Sequence, residues 1–172
     1  MSIDQFWAII DEVHQASGGN MDRKCELLQT QLTALSPDEL SSFVEHFDRC
    51  DARAYQNPLW GAIYTLRGGC SDDSFQDFRA TLISLGRTAF EQTLAEPDNL
   101  ADLDLPEDPC FEGFQYVPTR VARVVLGNRR MKTEFPPAPT GADWSDDQLP
   151  HLYPKLTALN RRLRSEYRAR RG

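Results

Sequence analysis

Helix start and stop signals dominate this sequence and limit what it can fold into. Ser36-Pro37-Asp38-Glu39 sets a capping hydroxyl, a proline and a glutamate in order. Leu40, Phe43, Val44, Phe47 and Ala54 then recur at helical spacing. Ser2 and Gln5 have the same capping spacing before Phe6, Trp7, Ile10 and Val13, which share one helical face. Gly18-Gly19 ends that helix, and Asn20 caps the next, whose stripe is Leu28, Leu32 and Leu35.

The pattern continues. Asn57-Pro58 opens a helix carrying Leu59, Trp60, Ile63 and Leu66, and Gly68-Gly69 stops it. A further helix is predicted from Ser71, with Phe75, Phe78, Leu82, Leu85 and Ala89 on one face and Gly86 as a break or kink. Asp98 is expected to cap a short turn through Leu100 and Leu103. Asp102 to Pro109 reads as an acidic loop, and Pro118-Thr119 as the opening of a helix ended by Gly127-Asn128, although the β-branched Val121, Val124 and Val125 also suit a strand. Phe135 to Asp147 is rich in proline and reads as an extended connector. A last helix from about Pro154 follows the stripe Leu152, Leu156, Leu159, Leu163 and Tyr167. No internal repeat and no convincing strand alternation is present. The expected fold is all-α: one globular bundle of six to eight helices. Its parts are an acidic body (about 1–134), a proline-rich connector (about 135–150) and a basic C-terminal helix (about 152–170).

Charge is segregated along the chain. The net charge is −7, yet the stretch from Lys155 to Gly172 carries seven basic residues and one acid, which leaves −13 on the remainder. An acidic body disfavours general nucleic-acid binding. No apolar run approaches the roughly 20 residues that span a bilayer. The N-terminus shows no secretory pattern, so a cytoplasmic protein with reduced thiols is expected, without membrane association. Cys25, Cys50, Cys70 and Cys110 are far apart and form no Cys-x-x-Cys pair.

Chemically capable groups gather in one stretch, Gly68-Gly69-Cys70-Ser71-Asp72-Asp73, followed by Arg79 and Arg87. This stretch resembles a bacterial family catalogued as domain of unknown function 4240. The resemblance extends through Phe6-Trp7, Leu59-Trp60, Phe78-Arg79, Leu82-Ile83, Gly86-Arg87, Pro97-Asp98, Glu112-Gly113-Phe114 and a looser segment from Leu149 to Leu156. Proteins described as molybdate-metabolism regulators carry a similar domain. The resemblance implies no agreed activity and no catalytic residues.

Two readings of the central stretch compete. In one, the glycines end a helix, Ser71 or Asp72 caps the next, Cys70 fills space, and Arg79 and Arg87 pair with acids of neighbouring helices. In the other, Cys70, Ser71, Asp72, Asp73, Arg79 and Arg87 converge on a ligand or partner, because two helical turns align Asp72 with Arg79. A nucleophile needs a base within reach, and the histidines His14, His46 and His151 lie in three distant segments. No metal-binding or phosphate-loop spacing is present, and no cofactor is implied. The expected function is a non-catalytic interaction or regulatory domain whose acidic surface recognises a protein partner. The alternatives are an enzyme or ligand binder at the central stretch, and nucleic-acid contact through Arg161, Arg162, Arg164 and Arg168.

Overall fold

Most of the helices begin where a side chain or a proline satisfies the first turn. The computed structural model describes residues 1–127 and 135–170. In chain order its helices are α1 (Ile3–Ser17), α2 (Met21–Thr33), α3 (Pro37–Ala54), α4 (Asn57–Arg67), α5 (Asp72–Ser84) and α6 (Arg87–Ala95). A 3₁₀ helix (Pro97–Asp102), α7 (Gly113–Leu126), α8 (Leu149–Leu152) and α9 (Pro154–Ala169) follow. The class is all-α. Ser2 and Ser36 form capping boxes with Gln5 and Glu39, and Asn20 and Ser71 accept N–H bonds from Arg23 and Ser74. Gly86 splits the long run into α5 and α6. Among the described residues no helix is long and apolar enough to cross a membrane. Asn128 and the end of the acidic body up to 134 lie outside the described residues.

α5 is the central element. It packs against α1, α3, α4, α6 and α7, and Phe78 to Ser84 is buried without a break. The one-sided face read from its sequence is therefore too narrow: the helix is enclosed on several sides. Phe6 and Trp7 of α1 bridge outward, with ring centroids 4.9 Å from Phe43 of α3 and 5.2 Å from Phe90 of α6. α7 packs on α2, α3 and α5. It starts at Gly113 and contains Pro118, contrary to the expected opening at that proline. Phe114 and Val117 are fully buried, and that packing offsets the missing proline N–H.

Lys24 is fully buried, and among the described residues no carboxylate forms an ion pair with it. Its ammonium donates to the Ser84 carbonyl at 3.1 Å and the Ser84 hydroxyl at 3.2 Å. Ser84 is the last residue of α5, so the negative end of a helix dipole stands in for a counter-ion. Burial still pushes the lysine down to about 8.

Residues 135–170 complete the bundle. The stretch read as a connector is docked: Thr140 donates its N–H to the Tyr55 carbonyl at 3.0 Å and accepts from Asn57 N–H at 2.7 Å. The indole N–H of Trp144 donates to the Asn57 carbonyl at 2.8 Å, and the Tyr153 hydroxyl to the Pro58 carbonyl at 2.7 Å. Both side chains need Gly61, since a Cβ there would lie 2.9 Å from the indole and from the Tyr153 hydroxyl. Asp98 does not cap its own turn. Its buried carboxylate accepts the N–H groups of Lys155 and Leu156, each at 3.1 Å, and so caps α9 from across the fold. The Lys155 ammonium reaches Asp102 at 2.7 Å. The leucine stripe docks only near its start: Leu156 is buried and Leu159 half-buried, while Leu152, Leu163 and Tyr167 are exposed.

Two outcomes follow from this packing. Asp98→Asn is expected to weaken the α9 cap and lower stability by roughly 1–3 kcal/mol, with earlier proteolysis beyond Tyr153, read by urea unfolding and limited digestion. For Lys24, a folded pKa near 8 against an ordinary 10.5 means that the unfolded chain holds more protons between those values. Stability therefore gains a rising component from pH 8 to 10.5 that is absent below. Lys24→Met is expected to lack that component, so that the difference between the two proteins' pH–stability curves slopes between pH 8 and 10.5; parallel curves would refute the assignment.

Candidate functional site

The central stretch is assembled from the end of α4, a short extended leg and the start of α5. The N–H groups of Gly68 and Gly69 both donate to the Tyr64 carbonyl, at 2.8 and 3.0 Å. Gly68 is left-handed (φ 74°), and a Cβ there would fall 1.9 Å from the Arg164 guanidinium of α9. The left-handed conformation favours glycine at this position, while the arginine, an exposed flexible side chain, could shift aside. The indole N–H of Trp60 donates to the Cys70 carbonyl at 3.0 Å, and its ring stacks on Phe75 at 4.9 Å. This fixes the leg over the core. Ser71 accepts the Ser74 N–H at 3.2 Å. Asp72 and Asp73 occupy the first turn of α5, exposed, where the helix dipole favours carboxylates.

The two arginines diverge. Arg79 is 3% exposed; its Nε donates to Asp51 of α3 at 2.9 Å, and its Nη2 reaches the other oxygen at 3.4 Å. Its guanidinium lies 4.7 Å from the ring centre of Tyr55, 5.0 Å from Phe75 and 5.3 Å from Phe135. Burial pushes the Asp51 carboxyl up, and the Arg79 hydrogen bond and charge oppose that. The ion-pair partner of Arg79 is thus Asp51, and not Asp72, with which helical spacing aligned it. Arg87 instead serves α1: its backbone N–H donates to Asp11 at 3.0 Å and its guanidinium to Asp4 at 2.7 Å. The break at Gly86 sends it away from Arg79. The six residues therefore do not form one cleft; Cys70, Ser71, Asp72 and Asp73 stay together, and the arginines leave for two other helices.

Other residues, unmarked by any sequence motif, join the start of α5. Cys110, in the loop before α7, is an electrostatic neighbour of Cys70 and of Arg67, while the Cys70 S–H points to the Ser71 carbonyl at 3.6 Å. Arg67 lies 4.0 Å from Asp108, which accepts the Cys110 N–H at 3.0 Å. Cys70, followed by Arg67, draws the Cys110 thiol down against the effect of burial, while Cys110 and burial push Cys70 up. Around this pair stand Asp73, Asp77, Asp108 and Glu112. Burial, then repulsion from Glu112, Asp108 and Asp73, pushes the Asp77 carboxyl up to about 6. The Gln115 side chain donates to Asp77. Asp108 and Cys110 belong to a segment whose prolines and acids signalled only a loop.

The C-terminal arginines Arg161, Arg162, Arg164 and Arg168 are exposed. Arg161 and Arg164 line a 450 Å³ depression with Tyr64, Thr65 and Asn160. His14, His46 and His151 remain in separate places; His46 Nε2 lies 3.2 Å from the Met1 carbonyl. Among the described residues no group of three or more His, Cys, Asp or Glu side chains is arranged to hold a metal ion.

Residues 1–122 match the family described as "Protein of unknown function (DUF4240)". No curated protein and no solved structure matches the chain.

The placement of Arg79 has a measurable consequence. Arg79→Ala leaves Asp51 buried without its cation and is expected to cost roughly 3–5 kcal/mol in urea unfolding. An arginine held for a ligand would instead leave stability within about 0.5 kcal/mol of the parent, as ordinary surface substitutions do.

Proposed function

The chain belongs to the DUF4240 family, and from the distribution of its charges we propose that it is a non-catalytic interaction domain whose acidic face receives a basic protein segment. The observation that carries this reading is the crowding of Asp73, Asp77, Asp108 and Glu112 at the start of α5 and α7. Burial and then repulsion among these acids raise Asp77, and a cationic partner relieves the repulsion. Asp72 adds to the same exposed turn. Tyr116 is 45% exposed on the adjoining turn of α7, its hydroxyl 3.3 Å from Glu112, and offers an aromatic contact beside the acids. The guanidinium of Arg79 points inward to Asp51, which supports a binding role over a catalytic one. Contact with nucleic acid through α9 gains less support, since the body that carries the helix is strongly acidic.

A lysine- and arginine-rich model peptide tests the proposal by calorimetry. Binding is expected to release protons and to tighten as pH rises through 6, because a bound cation favours the ionised Asp77. Added salt is expected to weaken it. Asp77→Asn with Glu112→Gln is expected to reduce affinity roughly tenfold, about 1.4 kcal/mol, and to flatten the pH dependence. Binding that is indifferent to both substitutions would overturn the proposal.

A further inference from the structure

We propose that the exposed end of α9 docks on the acidic face of a second copy of this chain, so that two chains pair reciprocally. The proposal rests on the reading of that face as a receiver of basic segments, and it names the segment.

α9 is an amphipathic helix that outruns the body to which it is anchored. Leu156 is buried and Leu159 half-buried, and the same stripe continues through Leu163 and Tyr167, which are exposed. Every residue from 161 to 170 is exposed, although the helix runs on to Ala169. Roughly two and a half turns are thus held clear of the fold with an apolar stripe on one side. Arg161, Arg162, Arg164, Arg168 and Arg170 flank that stripe. Arg162 lies 3.9 Å from Glu166 of its own helix, and among the described residues Arg161, Arg164, Arg168 and Arg170 form no ion pair. Arginines of the body are engaged by contrast: Arg53 with Glu91, Arg79 with Asp51 and Arg87 with Asp4.

The acidic face is placed by its contacts. Gln115 of α7 donates to Asp77 of α5, which sets the first turn of α7 against α5. Asp73 lies one helical turn before Asp77, and Glu112 immediately precedes α7. Asp108, 4.0 Å from Arg67, joins from the preceding loop. Asp72, Asp73, Asp108 and Glu112 are exposed. The exposed ring of Tyr116, with its hydroxyl 3.3 Å from Glu112, gives an apolar stripe something to lie against.

A second copy fits this face because the two patches adjoin within one molecule. The Arg164 guanidinium lies over Gly68 at the end of α4, and at most about 14 Å of chain separates Gly68 from Asp72. A positive strip bordering a negative one is self-complementary under a two-fold rotation, which sets each strip on its opposite. Lys155 to Gly172 carries +6 and the remainder −13, so the helix of one copy is drawn to the body of another. The same acidic remainder repels the phosphate-rich surfaces that a basic helix alone would attract. Docking also covers Leu163 and Tyr167, which adds apolar burial to a contact that charge orients.

Sedimentation equilibrium of the full chain and of full-length charge variants tests the proposal. The parent is expected to be a dimer at about 0.15 M salt, weakened roughly tenfold at about 1 M, where the screening length falls from about 8 to about 3 Å. Arg164→Glu with Arg168→Glu is expected to weaken self-association roughly tenfold, and so is Asp73→Lys with Glu112→Lys. All of these side chains are exposed. An equimolar mixture of the two variants is expected to dimerise again, because native strip then meets native strip and reversed meets reversed. A monomeric parent overturns the proposal whatever the variants do. A dimer indifferent to the substitutions, or a mixture that stays monomeric, overturns it as well. So does a monomer whose α9 arginines bind anionic vesicles or single-stranded DNA. The lysine- and arginine-rich peptide separates this outcome from the reading beneath it: a monomer that binds the peptide refutes the self-pairing alone, and one that does not refutes both.

Discussion

Arg79 is the hinge of the architecture. It sits where α5 meets α3 and carries a full charge into the core. Such a charge is tolerable only with a hydrogen-bonded counter-ion, and Asp51 supplies two oxygens to the guanidinium fork. The faces of Tyr55, Phe75 and Phe135 replace part of the lost hydration. The same contacts fix the relation of three parts: α3 through Asp51, the α3–α4 junction through Tyr55, and the start of the C-terminal segment through Phe135. An apolar side chain would fill this space without demanding one partner. An arginine demands Asp51 at one distance and angle.

The C-terminal segment explains residues far upstream. Gly61 lies mid-helix, where glycine costs roughly 1 kcal/mol against alanine. Its reason is Trp144 and Tyr153, which fill the space that a side chain would take. Gly68 is required by its left-handed turn, and the Arg164 guanidinium lies over it. Asp98 is buried because two N–H groups of α9 need an acceptor. All three lie within the matched span of residues 1–122, and all three meet partners outside it. Residues 135–170 are thus part of the same packed body through these contacts, and the exposed arginine-rich turns of α9 extend from a well-anchored base.

Legibility in the sequence followed the range of the interaction. Ser2, Asn20, Ser36 and Ser71 act on N–H groups within their own first turn, so spacing alone identified them. Pro118 misled, because a local rule placed it at a helix start while the burial of Phe114 and Val117 carried the helix backward through it. Asp98 misled in the opposite sense: a local cap was expected, and the carboxylate serves a helix distant in sequence. An ion pair between Arg79 and an acid of a neighbouring helix was expected and is present, but periodicity aligned Arg79 only with Asp72 and could not name Asp51. The pair Arg79–Asp51 joins segments with no shared motif, and only the tertiary fold brings them together.

The remaining charges divide by burial. Arg79 turns inward to Asp51 and Lys24 to the end of α5, whereas Arg87 joins α1 near the surface. Arg23 and Arg49 stay exposed, each paired with a glutamate of its own helix. Acids crowd at the start of α5, where burial and then repulsion from Glu112, Asp108 and Asp73 push the Asp77 carboxyl up. The two buried cations thus fix helices to one another, because a charge taken out of water has to find its partner inside the fold, and the exposed ones are left with solvent and short-range pairs that stabilise little.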